Sequence, residues 1–314
     1  MTCSCCCSGR EGDCSAGVGG GHGHRPVMVR ELLASLELSP GLVVMDCTIG
    51  AGGHAAEVLA QIVPGGKLVG IDWDEEALRA AGSSLSCPRE EVLLARANFA
   101  DAPRVLAEFG IERVDRMYFD LGLSSMQVDS PDRGFSFRGD GMLDMRMDRS
   151  LERTASDVVM KLSEKELGRV IREYGEERYW RSVARAIVRS RDRRPIQTTG
   201  ELAEIVSRAV RRRPRRIHAA TRTFQALRIE VNGELENLSR ALDHAPDLLS
   251  DRGIVSAISF HSLEDRIVKR DFREKKQQGI YASVSKKPVV PGAEEKGENP
   301  RSRSAKLRTA RKEG

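Results

Sequence analysis

From residue 23 onward, short apolar runs alternate with stretches whose apolar residues recur every three or four positions. A helical pattern at Val29, Leu32, Leu33 and Leu36 stops before Pro40-Gly41, where proline cannot continue a helix. Leu42 to Asp46 then predicts a strand, Gly50-Ala51-Gly52-Gly53 a turn, and Ala55, Val58, Leu59 and Ile62 a helix. A second strand, Lys67 to Ile71, ends at Asp72 and leads into a helix through Ala77, Leu78 and Leu85. Val92 to Ala95 and Arg116 to Phe119 predict two further strands, with a helix from Ala102 to Phe109 between them. Strands that alternate with helices in this way build a parallel α/β sheet.

The alternation breaks at Ser130. Residues 130–149 are rich in Asp, Arg, Gly and Met and read as a long ordered loop. Helical spacing then recurs at Leu162 to Tyr174, Trp180 to Arg189, Leu202 to Val210 and Phe224 to Asn232. The sheet resumes at Gly253 to Phe260, followed by a helix through Ile267, Val268 and Phe272. Tyr281 to Val290 and Ala305 to Thr309 predict a closing hairpin around an acidic loop near Pro291 to Pro300. The expected organisation is a leader at 1–22, a sheet domain at 23–129 and 233–314, and an inserted helical domain at 130–232.

Candidate chemistry enters at the strand ends. Asp72 lies 22 residues past Gly50, and an acid about 20 residues beyond the glycines of a βαβ unit is a nucleoside-binding pattern. Glycines there let backbone approach a ligand, and the carboxylate accepts from ribose hydroxyls. Gly50, Gly52 and Ala55 also satisfy the looser nicotinamide dinucleotide form. Asp46 favours the other cofactor class, because a carboxylate disfavours a pyrophosphate but suits a sulfonium and an ammonium. Asp46, Asp72, Phe99 and Asp120 all end predicted strands, so they are expected to converge on one crevice. Phe99 is placed either to stack on an adenine or to fill the core.

Charge adds a partner. The net charge is +5, and Leu151 to Ala220 holds 18 Lys and Arg against 10 Asp and Glu, so the rest of the chain is slightly acidic. Arg208, Arg211, Arg212, Arg213, Arg215 and Arg216 form a dense cluster suited to nucleic-acid phosphates. Five of seven cysteines lie in the first fourteen residues, which is no disulfide framework for a fold this size. Cys3 and Cys6 lack a second pair at zinc-finger distance, and no metal site is expected. The leader has neither an apolar signal core nor an Arg-rich amphipathic pattern and reads as disordered. No run reaches membrane-spanning length, and a soluble cytoplasmic protein, monomer or homodimer, is expected.

With these features in place, the chain resembles the RsmH (MraW) family of ribosomal RNA small-subunit methyltransferases. The resemblance rests on His24 to Val27, Asp46 to His54, Asp120 to Ser125, Arg133 to Phe137 and Leu143 to Asp148. It continues through Tyr174 to Arg178, Thr221 to Ile229, Ser259 to Arg266 and Asn299 to Ser304. Two departures stand out: the cysteine-rich leader is foreign to the family, and Met126 occupies a position where proline or tyrosine is common. The resemblance implies a class I S-adenosylmethionine (SAM)-dependent methyltransferase sheet, Rossmann-like, with an inserted helical substrate domain. It implies methylation of N4 of a cytidine in the decoding centre of 16S RNA. SAM is implied on Gly52, Gly53, His54, Asp72, Phe99, Asp120 and Gln127, beside Gly50.

The place where DNA amino-methyltransferases carry an Asn/Asp-Pro-Pro-aromatic tetrad reads Asp120-Leu121-Gly122-Leu123 here. Asp120 is therefore expected to orient the methionine moiety or to accept an amine hydrogen, with Ser124, His261 and Ser262 lining the base pocket. His261 could equally be a structural turn histidine. Arg146, Arg212, Arg213 and Arg222 are expected on the RNA side. A nicotinamide oxidoreductase would leave Asp46 and the basic insertion unexplained, and a non-catalytic RNA-binding protein would need only the arginines.

Overall fold

The structure is a computed structural model and describes residues 26–85, 91–210 and 218–314. The expected leader, His24, Cys87 and the arginines at 211–216, Arg212 and Arg213 among them, lie outside the described residues. The first half alternates as the apolar pattern requires: α1 (Val29–Leu36), β1 (Val43–Asp46), α2 (Gly53–Ile62), β2 (Lys67–Asp72), α3 (Glu75–Ser84), β3 (Val92–Arg96), α4 (Ala102–Glu108) and β4 (Val114–Asp120). A short α5 (Ser125–Asp129) follows, and then come α6 (Ala155–Lys161), α7 (Glu164–Glu173), α8 (Trp180–Arg191), α9 (Thr199–Ala209), α10 (Thr221–Asn232) and α11 (Glu234–Leu248). The chain closes with β5 (Leu249–Ser259), α12 (Ser262–Gln277), β6 (Tyr281–Val284), α13 (Ala293–Glu298) and β7 (Lys306–Lys312).

The seven strands form one sheet in the order β3-β2-β1-β4-β5-β7-β6. β1 to β5 run parallel, and β7 is antiparallel to both β5 and β6. This is the Rossmann-like sheet of class I methyltransferases. The order reverses between β1 and β4, and the crevice beyond the carboxyl ends of strands at such a switch point is where open α/β sheets bind ligands.

Both faces of the sheet are covered, so its central strands are apolar on both sides. Along β4, Met117 and Phe119 join Leu106, Leu238, Leu242 and Phe272 on one face. Tyr118, between them, joins Leu32, Leu36, Val58 and Ile62 on the other, the two-residue period of a pleated strand. Each large apolar side chain fully buried in this way stabilises the fold by roughly 1.5–3 kcal/mol.

Helices α6 to α10 pack around a separate core that includes Leu143, Val158, Leu167, Val183, Ile187, Leu202 and Leu227. Local signals start three of them. Thr154, Ser163 and Thr198 cap α6, α7 and α9 through reciprocal boxes with Asp157, Glu166 and Glu201, each cap contributing about 1 kcal/mol. Asn232 ends α10 and ties it to the preceding loop, accepting from the Met147 amide and donating to the Met145 carbonyl, both at 2.8 Å.

The apolar pattern did not predict α11, which carries Pro246 inside its last turn. Proline there leaves the carbonyl of Leu242 without its helical donor. Lys275 of α12 supplies a replacement, its Nζ donating to that oxygen at 3.1 Å. The closing hairpin also differs from expectation. β6 ends at Val284, Val289 adds one isolated bridge to Leu307, and α13 occupies the expected loop. No helix among the described residues is long and apolar enough to cross a membrane.

Candidate functional site

A cavity of about 340 Å³ opens beyond the carboxyl ends of β1, β2 and β4, a size suited to a nucleoside cofactor. Of the residues singled out from sequence, Gly50, Gly53, His54, Asp72, Phe99, Asp120, Ser124 and Gln127 line it. Trp73, Glu234, Glu264 and Arg301 line it as well; Glu264 and Arg301 fall within stretches that carried the resemblance, but none of the four had been given a role in the site.

Asp72 is clamped by backbone. Its Oδ2 accepts from the Gly50 amide at 3.0 Å and its Oδ1 from the Asp74 amide at 2.9 Å. Burial pushes its pKa up to about 6, against the lowering effect of those amides. A carboxylate oxygen has two lone pairs, so each can still accept a ligand hydroxyl.

The three glycines differ in purpose. Gly50 has φ 54°, and a Cβ there would meet nothing closer than the Thr48 carbonyl at 3.9 Å, so this turn keeps backbone open to the cavity. Gly52 does not line the cavity. A Cβ at Gly52 would lie 2.9 Å from Ser84 Oγ and 3.4 Å from Ala81 Cα, and one at Gly53 would lie 2.5 Å from Pro26. Gly52 also has φ 86°, which disfavours a side chain whatever the space, while Gly53 is glycine because Pro26 presses on it.

Asp120 holds the centre. Its amide donates to Thr48 Oγ1 at 2.7 Å, its Oδ2 lies 3.4 Å from His54 Nδ1, and its buried Oδ1 has no hydrogen-bond partner among the described residues. Burial raises its pKa, His54 opposes the rise, and Glu264 adds to it. His54 Nε2 meets the Val27 carbonyl at 2.8 Å, so that nitrogen carries hydrogen.

Asp46 departs from its expected place. It sits opposite Tyr118 in the β1–β4 register, two residues short of Asp120. It is buried, accepting from the Tyr118 hydroxyl at 2.6 Å and the Thr48 amide at 3.0 Å, and it does not line the cavity. Burial pushes its pKa up to about 7 against those hydrogen bonds. The crevice therefore holds Asp72, Phe99 and Asp120, with Asp46 one layer below.

Phe99 serves both roles considered for it: it packs edge-to-face on Phe119 at 5.8 Å and lines the cavity. Ser124 caps α5 and accepts from the Gln127 amide at 3.2 Å, while Gln127 Oε1 accepts from the Ser124 amide at 3.1 Å. Gln127 Nε2 donates to Asp74 at 2.9 Å, so this side chain braces the cavity wall.

Four other expectations fall elsewhere. His261 and Ser262 lie outside the cavity, in a second hollow, while their neighbours Phe260 and Glu264 line it. As N-cap of α12, His261 turns its ring back on the helix: Nδ1 accepts from the Glu264 amide at 3.4 Å, and Nε2 lies 3.1 Å from Glu264 Oε1. The Ser262 hydroxyl donates to Glu176. Arg146 is engaged by Asp144 at 2.7 and 2.8 Å and by the carbonyls of Arg149 and Leu151. Arg222 donates to the Glu176 carbonyl at 2.9 Å.

Glu234, His261 and Glu264 bring ligand-type atoms within 4.8 Å of one another. Arg228 already supplies the counter-charge, donating to both oxygens of Glu234 at 2.8 and 2.7 Å and lying 4.0 Å from Glu264. The cluster is an ion-pair network joining α10 to α11 and to the start of α12. Arg301 reaches the cavity from the opposite end of the chain, bonding the Ser125 hydroxyl and pairing with Asp129 at 3.2 Å. Its sequence signal is the Asn299 to Ser304 stretch of the resemblance, which starts the turn that carries it.

A family model described as the MraW methylase family matches residues 21–313. The chain is 49% identical over 306 residues to ribosomal RNA small subunit methyltransferase H of Syntrophotalea carbinolica, covering 92% of this chain and 98% of the relative. Proteins of the same name from Desulfotalea psychrophila and Syntrophobacter fumaroxidans are 46% and 45% identical over 291 and 308 residues. They cover 92% and 93% of this chain and 98% and 97% of their own.

Proposed function

The chain belongs to the MraW methylase family, and from that premise we propose that it methylates N4 of a cytidine in the decoding centre of 16S ribosomal RNA, acting on the small subunit in the cytoplasm. The observation that carries this reading is the meeting of Asp72 and Asp120 in one cavity, the first fixed by two backbone amides and the second with a buried oxygen free. SAM, when bound, supplies a methyl carbon made electrophilic by its sulfonium. Asp72 accepts the ribose hydroxyls, Phe99 offers a ring face to the adenine, and the Gly50 turn leaves room for both.

The N4 lone pair of cytosine is delocalised into the ring, so the amine is a poor nucleophile. Holding it in line is the principal task, and orientation of this kind is worth several kcal/mol. Asp120 Oδ1 accepts one amine hydrogen, which aims the remaining lone pair. The Asp120–His54 pair then takes the proton released as the N–C bond forms, a general-base role. The target base leaves its stack to reach this depth. Arg212, Arg213 and Arg222 are proposed to hold the surrounding phosphates, which positions the RNA without reading its sequence. Arg146, already held by Asp144, is left out of that proposed hold.

Labelled SAM with small subunits lacking the modification, followed by nuclease digestion and nucleoside mass spectrometry, tests the reading. Label in N4-methylcytidine is the expected result; label on another nucleoside, or none with SAM still bound, would overturn the substrate assignment.

A further inference from the structure

Phe260 lines the main cavity on one side and a second hollow of about 280 Å³ on the other. His261, Ser262, Lys296, Arg303 and Lys306 are among the residues around that second hollow. Its charge is positive. Lys306 and Arg308 share a single carboxylate, Asp265, at 3.0 and 2.7 Å. Arg303 engages its Nε, toward the Lys296 carbonyl at 3.5 Å, and none of the described residues lining the hollow is a carboxylate. The nearest buried acid, Glu264, is committed to the amides of Phe260 and His261 at 2.8 and 3.2 Å. Those same contacts cap the start of α12, so the pull on an anion comes from the side chains.

One short segment serves both spaces. The 3-10 turn Pro300–Ser304 carries Arg301 and Arg303 two residues apart. At about three residues per turn, side chains so spaced diverge: Arg301 reaches the main cavity, and Arg303 reaches the hollow. Glu294, Glu295 and Glu298 of α13 do not line the hollow, and Glu295 accepts from the Met28 amide at 2.7 Å.

We propose that this hollow holds a backbone phosphate of the substrate RNA beside the target nucleotide, with Arg303 and Lys296 as its donors. This rests on the RNA reading above and adds to it a subsite that no sequence expectation placed there. A base seated in the main cavity carries its sugar and phosphates past Phe260, and cations aimed at a tetrahedral anion there fix the strand without reading it. Arg303 offers a planar fork to two phosphate oxygens, and the Ser262 hydroxyl stands at the rim.

The test is the salt dependence of binding of unmodified small-subunit RNA to the Lys296→Gln/Arg303→Gln double variant. Loss of one or two phosphate contacts should lower the slope of log affinity against log salt by about 0.7–1.4. Affinity at low salt should fall several-fold, with SAM affinity and melting temperature unchanged. Arg303→Gln alone should give about half the change. An unaltered slope, with the wild-type chain binding and methylating the RNA, would overturn the subsite and leave the function standing. A wild-type chain that bound no RNA would overturn both.

Discussion

The carboxyl edge of the sheet and the helical insertion treat charge in opposite ways. At the sheet edge, acids face space: Asp72 is held by amides with lone pairs to spare, and Asp120 has an oxygen with no donor among the described residues. In the described part of the insertion, cations that meet the sheet domain are matched: Arg133 is buried on Asp74 at 2.8 Å, and Arg228 pairs with Glu234. An unmatched buried acceptor costs about 1–3 kcal/mol, so a fold keeps one where a ligand completes it. Matched arginines do a different job: they weld the insertion to the sheet so that the cavity has a fixed wall.

Breaking that weld should have the largest effect. Arg133→Met leaves Asp74 buried without its cation, which should cost about 3–5 kcal/mol in denaturant unfolding; a loss below about 1 kcal/mol would mean that the pair holds nothing together. Next comes Asp72→Ala, which should weaken SAM binding roughly 10²- to 10⁴-fold by calorimetry through loss of two hydrogen bonds to a charged acceptor. The pH dependence has a definite sign. Burial pushes the Asp72 carboxyl up to about 6, and a cationic ligand favours the ionised form, so SAM affinity should rise with pH through about 6 and level above it. Without ligand the sign reverses: the raised carboxyl makes its contribution to folding stability fall as pH climbs from its ordinary value of 3.8 toward 6. The Asp72→Ala variant should show both trends weakened, the remainder coming from Asp46 and Asp120, which burial also raises. The smallest effect is expected at Glu176, an exposed latch from the insertion to Ser262 and to Arg266 at 2.8 Å. Glu176→Gln should shift stability by less than about 1 kcal/mol, and a larger drop in melting temperature would show that the latch is more shielded than its exposure implies.

The same contrast explains what could be read from residues alone. Strands buried on both faces appear as apolar runs, so the ends of β2 and β4, and with them Asp72 and Asp120, were legible. Asp46 was misplaced because a strand's last acid need not be its tip; the β1–β4 register sets it opposite Tyr118, below the cavity. α11 was missed because Pro246 and its acidic residues mask a helical period that tertiary contacts, including Lys275 on Leu242, sustain. Glu234, Glu264 and Arg301 reach the cavity from elements far along the chain, and only packing brings them there. His261 was read as a pocket residue from its strand-end position, yet capping its own helix turned the ring away.

The central claim is that Asp120 handles the target amine, and steady-state methyl transfer by Asp120→Asn, at saturating SAM on unmodified small subunits, tests it most directly. The account predicts a fall in turnover on the order of 10²–10⁴ with SAM still bound. Full turnover in that variant would contradict it.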